Sequence, residues 1–235
     1  MKVDSASKPE WDRQKQLITD KRNNFNQGIA DLRAIAGATG VNLDGLISGI
    51  QQQVTSLDGT LSNLTNLENS TQVYALRGGV TEVGGTTLNP QNHIITFAFG
   101  TTANFIHETT HGGQFEAGEI AFNSRGAIVG QDVNDEISAY QRQFAYDPSS
   151  VSGLRSSSVA NTLGAINATW VQGITTSTGD RIYAPGGTAN TGISPVNINS
   201  DRAALMRAYP NIANQLQSLP ANFTLKSIPG LYYKH

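Results

Sequence analysis

Apolar residues along the first seventy positions recur at helical spacing. Trp11, Ile18, Phe25 and Leu32 stand seven apart with Ile29 on the same face, and the rest of the stretch from Pro9 to Ala36 is charged or polar. That periodicity predicts one amphipathic helix. After the break "GATGVNLDG", Leu43, Ile47, Ile50, Val54, Leu57, Leu61 and Leu64 advance in alternating steps of four and three, the seam of a second helix. Gly45, Gly49 and Gly59 would weaken that helix in isolation. The expectation is an antiparallel helical hairpin over residues 1–70, docked on the remainder of the chain. An oligomerising coiled coil is the alternative, and two or three heptads are too few to decide.

The period falls to two beyond Thr71. The segments "TQVYALRGG", "VTEVGG" and "HIITFAFG" alternate or cluster β-formers and are punctuated by Gly-Gly and Asn-Pro, which predicts two or three short strands joined by hairpin turns. The strand from His93 to Phe99 ends at Gly100, and Thr101 or Thr102 then caps a helix. "QDVNDEISAYQRQFAY" reads as a further helix, with Asp132 as N-cap and Val133, Ile137, Tyr140 and Phe144 as its buried stripe. Helical periodicity returns at 159–171 and 201–219, separated by a stretch rich in Gly, Thr, Asn and Pro over 175–200. The fold class is therefore α+β, with 71–235 forming one domain that holds a small antiparallel or mixed sheet and a helical C-terminal subdomain.

Composition narrows the chemistry. The chain has 235 residues, a net charge of -2 and only 14% charged residues with its Lys and Arg scattered, so no basic face exists to track nucleic acid. It contains no cysteine, and any bound metal must be held by His, Asp or Glu. No run approaches eighteen apolar residues, and the start "MKVDSASKPEWDRQKQ" lacks the features of a signal peptide, so a soluble chain with no membrane partner is expected.

Within this unexceptional background the predicted helix after Gly100 carries "NFIHETTHGG". His107 and His111 are one turn apart and about 40° apart around the axis, so both imidazoles reach one ion. Glu108 lies about 100° further round, placed to act on a water beside the metal rather than to ligate. A catalytic zinc requires a third protein ligand. The extended pattern with a glycine at 114 and a histidine at 117 is absent, since those positions are Gln114 and Ala117. Glu116 and Glu119 follow Gly112-Gly113, which reads as a break in the helix. Glu136 is the better candidate: it borders the apolar stripe of the second helix, where an unpaired carboxylate would be costly and a metal would be a good partner.

Residues 93 to 146 resemble the core of a gluzincin-type zinc metallopeptidase, on His107, Glu108 and His111 and on "NDEISAY" with Glu136. The resemblance implies zinc held by His107, His111 and Glu136, Glu108 as general base, and the strand Ile94 to Phe99 paired with an extended protein or peptide substrate. Enzymes of the thermolysin type carry an aspartate four residues beyond the ligand glutamate to brace a histidine; this chain has Tyr140 there, which leaves Asp132 or Asp135 for that duty. The oxyanion needs a donor. "GDRIYAPGG" offers Tyr183 and Arg181, and "GLYYKH" offers Tyr232, Tyr233 and His235; Tyr183 is preferred for its glycine-rich loop. His93 is assigned no role. The expected activity is zinc-dependent peptide-bond hydrolysis, in a setting similar to the effector or toxin domains that bacteria carry at the C-terminus of larger secreted proteins. The alternatives are a non-catalytic zinc-holding module and a helical interaction protein with an incidental motif.

Overall fold

The computed structural model describes residues 2–79, 84–154, 156 and 158–234. The first apolar seam forms α1 (Lys8–Thr39), with a proline in its first turn and Gly40 in the left-handed conformation closing it. The second forms α2 (Asp44–Asn69). The two pack as an antiparallel hairpin, tied across by an Arg22–Asp58 pair and by Glu68, which accepts from Trp11 Nε1 and pairs with Lys15. Near the chain ends of the hairpin Trp11, Ile18, Leu57, Leu64 and Leu67 enter the same core as Phe97, Phe105, Phe115 and Phe122.

Three short strands follow, β1 (Tyr74–Arg77), β2 (Gly85–Leu88) and β3 (Ile95–Ala98), in the order β1-β3-β2. β1 runs parallel to β3 and β2 antiparallel, so the sheet is mixed. Of the expected strand in "VTEVGG", residues 80–83 lie outside the described residues. His93 is not part of a strand. It adopts a positive φ of 56° in the Asn89–Ile94 turn, and its ring stacks on Tyr232. β3 is the central strand and has no free edge, which corrects the expectation that it pairs with substrate. Leu88 N–H points outward to Gly126 O, and by the alternation of an antiparallel ladder the main-chain groups of Thr86 face the same way.

Thr101, not Thr102, caps α3 (Thr102–Ala117): its Oγ1 accepts from Asn104 N at 3.1 Å. The helix does not break at Gly112-Gly113 but runs through to Gly118. These glycines serve close approach. A Cβ on Gly112 would stand 2.6 Å from Phe97 Cζ, and one on Gly113 would collide with Asn63, whose amide donates to Thr109 O. α3 is consequently packed between α2, the sheet and α4, and most of its residues are buried. β4 (Ala121–Phe122) and β5 (Ile128–Val129) form a small hairpin. α4 (Val133–Tyr146) begins with a capping box in which Asp132 accepts from Asn134 N and Asp135 accepts from Asp132 N.

The C-terminal third is less helical than its apolar spacing suggests. Over 159–171 a 3-10 turn (Leu163–Ala165) and α6 (Ala168–Gln172) replace one helix, after the one-turn α5 (Ser149–Ser152), and Val159 is 84% exposed. Thr162 and Asn167 each cap a new start, cutting the segment into single turns. Over 201–219, Pro210 forces Tyr209 out of helical geometry and divides the stretch into α7 (Arg202–Ala208), a 3-10 turn and α8 (Ala213–Gln217). The described residues thus comprise eight α-helices and two small sheets, an α+β fold, and no helix among them is long and apolar enough to cross a membrane.

Candidate metal centre

α3 and α4 pack directly, and their facing sides bring His107, His111 and Glu136 together, all three buried. Glu136 Oε2 lies 3.5 Å from His107 Nε2, and Oε1 lies 3.6 Å from His111 Nε2. One ligand atom from each residue falls within 4.8 Å of the others, an arrangement that can hold a metal ion. Two ligands at about 2.1 Å from a tetrahedral zinc are about 3.4 Å apart, so the observed spacings suit such an ion. Glu116 and Glu119 stand elsewhere. Glu116 accepts from Ser70 and Tyr74 and pairs with Lys234, and Glu119 lies among Asp132 and Arg142.

Electrostatics point the same way. Burial lowers the pKa of both imidazoles, holding them in the neutral form that ligates metals. Burial also pushes the Glu136 carboxyl up, and its Oε2 has no hydrogen-bond partner. A buried carboxylate set between two neutral imidazoles, with one oxygen lacking any donor, fits a cation that all three share.

The residues around the three ligands were only partly anticipated. His111 Nδ1 meets Gln114 Oε1 at 2.7 Å, and the Gln114 amide donates to Asp135 O. The expected carboxylate brace is therefore an amide. Asp132 and Asp135 are occupied at the start of α4, where Asp132 also accepts from Val196 N. His107 Nδ1 has no well-formed bond and lies beside Gln143. Gln131 donates to Glu136 Oε1. Gln114 was open to detection, standing one turn after His111 on the same helix; Gln131 carries no comparable signal.

The group sits in a cleft of about 340 Å³ that is lined also by Glu108, Thr86, Asn104, Tyr140 and Tyr183. Glu108 Oε2 accepts from Thr86 Oγ1 at 2.8 Å, and burial raises its pKa to about 7. Gly84 leaves room for this carboxyl, since a Cβ there would stand 2.8 Å from Glu108 Oε1 and 2.6 Å from Ala98 O. Tyr183 reaches the cleft, and its hydroxyl bonds the hydroxyl of Tyr140 at 3.0 Å. Tyr140 stands edge-on to His107, with ring centroids 4.4 Å apart, so the position that departs from the thermolysin-type pattern is itself part of the site. Arg181, Tyr232 and Tyr233 do not line the cleft. Tyr232 instead donates to Gln72 and stacks on Phe115, while His235 lies outside the described residues. Comparison with protein-family models, curated proteins and solved structures yields no match.

Proposed function

We propose that this chain is a zinc-dependent peptidase acting on a protein or peptide substrate. The observation that carries the reading is the meeting of Glu136 with the two imidazoles in a cleft where a second carboxyl, Glu108, is held separately from the ligand group. His107, His111 and Glu136 would hold the metal. A zinc ion supplies Lewis acidity, polarising a substrate carbonyl and making a water nucleophilic near neutral pH. Everything else falls to the chain. Thr86 fixes one oxygen of Glu108 and leaves Oε1 to accept a proton from the attacking water and return it to the leaving amine. The Tyr183 and Tyr140 hydroxyls offer donors for charge that develops on the carbonyl oxygen. An extended substrate main chain would lie against the outward edge of β2 at Thr86, beside Glu108.

A purely structural zinc site closes its coordination with protein ligands and has no use for a general base; the separately held Glu108 favours catalysis. The test is zinc titration of the metal-free protein together with hydrolysis of casein. One zinc per chain is expected, with binding abolished in His111→Ala and Glu136→Ala, retained within a few fold in Glu116→Ala and Glu119→Ala, and casein cleaved only by the loaded protein. Zinc binding that survives Glu136→Ala, or a loaded wild type that leaves casein intact, would contradict the proposal.

A further inference from the structure

The geometry points to Gln131 as a positioning residue that fixes the rotation of the Glu136 carboxylate between the two imidazoles, an inference that rests on the metal site proposed above. The two oxygens of Glu136 differ sharply. Oε1 accepts from the Gln131 amide and lies 3.6 Å from His111 Nε2, whereas Oε2 is buried without a hydrogen-bond partner and lies 3.5 Å from His107 Nε2. The terminal torsion of a glutamate is soft, so a carboxylate with two equivalent oxygens would turn freely. Engaging Oε1 stops that rotation, keeping Oε1 on the His111 side and the unpartnered Oε2 on the His107 side.

Gln131 is itself held. Its carbonyl oxygen accepts from the Tyr209 hydroxyl at 2.6 Å and from Gly192 N at 3.0 Å. The next two residues are pinned as well: Asp132 accepts from Val196 N, and Val133 N donates to Gly192 O. The 192–196 segment and Tyr209 thus clamp the main chain just before α4, and the Gln131 side chain carries that rigidity to the ligand. The choice of an amide has a chemical reason. Lys or Arg would neutralise the Glu136 carboxylate and compete with a metal for it, and Asp or Glu would repel it, whereas a neutral donor restrains the group and leaves its charge for a cation.

The test uses Gln131→Met, which keeps length and bulk but removes the donor, and Gln131→Asn, which withdraws the donor by one methylene. Zinc affinity is measured by competition with a chromophoric chelator, and the visible spectrum of the cobalt(II)-substituted protein is recorded for each folded variant. Both variants are expected to bind zinc about 10- to 100-fold more weakly than wild type and to show an altered cobalt spectrum, the range typical of losing a residue that orients a ligand. If Gln131→Met does not fold, Tyr209→Phe, which removes one of the two bonds to the Gln131 carbonyl and leaves the amide in place, is expected to lower affinity several-fold in the same direction. Stability loss with zinc affinity and cobalt spectrum unchanged would mark a merely structural residue and overturn the inference alone. Failure of the wild type to bind zinc would overturn the metal site and this inference together.

Discussion

Glu108→Gln separates the energetic cost of burying this carboxyl from its proposed use as a general base. The substitution is nearly isosteric and keeps an oxygen for Thr86, so its chief effect on the metal-free protein is to remove a titratable group that burial has shifted from 4.5 to about 7. A carboxyl whose pKa is higher in the folded chain binds its proton more tightly there. The penalty for ionising it is absent well below pH 4.5, grows as pH rises, and is complete above about pH 7. At about 1.4 kcal/mol per tenfold change, that penalty is worth about 3 kcal/mol at pH 8 and less than about 1 kcal/mol at pH 5. The glutamine variant should therefore gain stability over wild type by about 2–3 kcal/mol between pH 5 and pH 8. With a slope of about 2 kcal/mol/M, its urea midpoint should rise relative to wild type by about 1 M over that range. Circular dichroism during urea titration of both metal-free proteins at several pH values reads the difference, and the imidazoles, common to both, largely cancel. Hydrolysis by the zinc-loaded variant should fall by about 10²- to 10⁴-fold. A stability difference that does not change with pH would refute the claim that Glu108 is held in a desolvated, proton-retaining environment.

Other outcomes follow from the same packing. Gly112→Ala should destabilise the protein by about 1–3 kcal/mol through overpacking against Phe97, measured as a lowered Tm. Tyr183→Phe should leave zinc affinity and fold intact but lower kcat by about tenfold or more, since it removes one hydroxyl of the Tyr140 pair. Zinc affinity should fall with acidification in a chelator-competition titration as protons compete for Glu136, whose pKa burial raises, while burial lowers the pKa of His107 and His111 and delays their competition to more acid pH.

What could be read from the chain in advance depended on how local each cause is. Both helices of the hairpin, the Thr101 and Asp132 caps and the spacing of His107, Glu108 and His111 follow from short-range periodicity, and the structure contains each of them. Glu136 stands at the border of an apolar stripe, a position that survives folding because the stripe packs on Ile166, Trp170, Val171 and Ile174 while Glu136 faces the histidines of α3. The Gly112-Gly113 pair misled for a physical reason. Glycine's freedom suggests a break, but here its small size lets Phe97 and Asn63 approach, a demand set by distant residues. Over 159–171 the apolar spacing was helical, yet Thr162 and Asn167 offered competing caps. Gln131 was not legible because its role depends on Gly192, Val196 and Tyr209 closing over the start of α4.

The proposed peptide-bond hydrolysis at the His107, His111 and Glu136 centre can be read from the new peptide termini it would create, identified by mass spectrometry. A complex mixture of denatured proteins is incubated with zinc-loaded wild type, with zinc-loaded Glu108→Gln and with chelator-treated wild type. New termini that share a sequence preference are expected in the first sample and none above background in the other two. Identical termini in all three samples, or none from a wild type shown to hold one zinc per chain, would contradict the proposed hydrolysis.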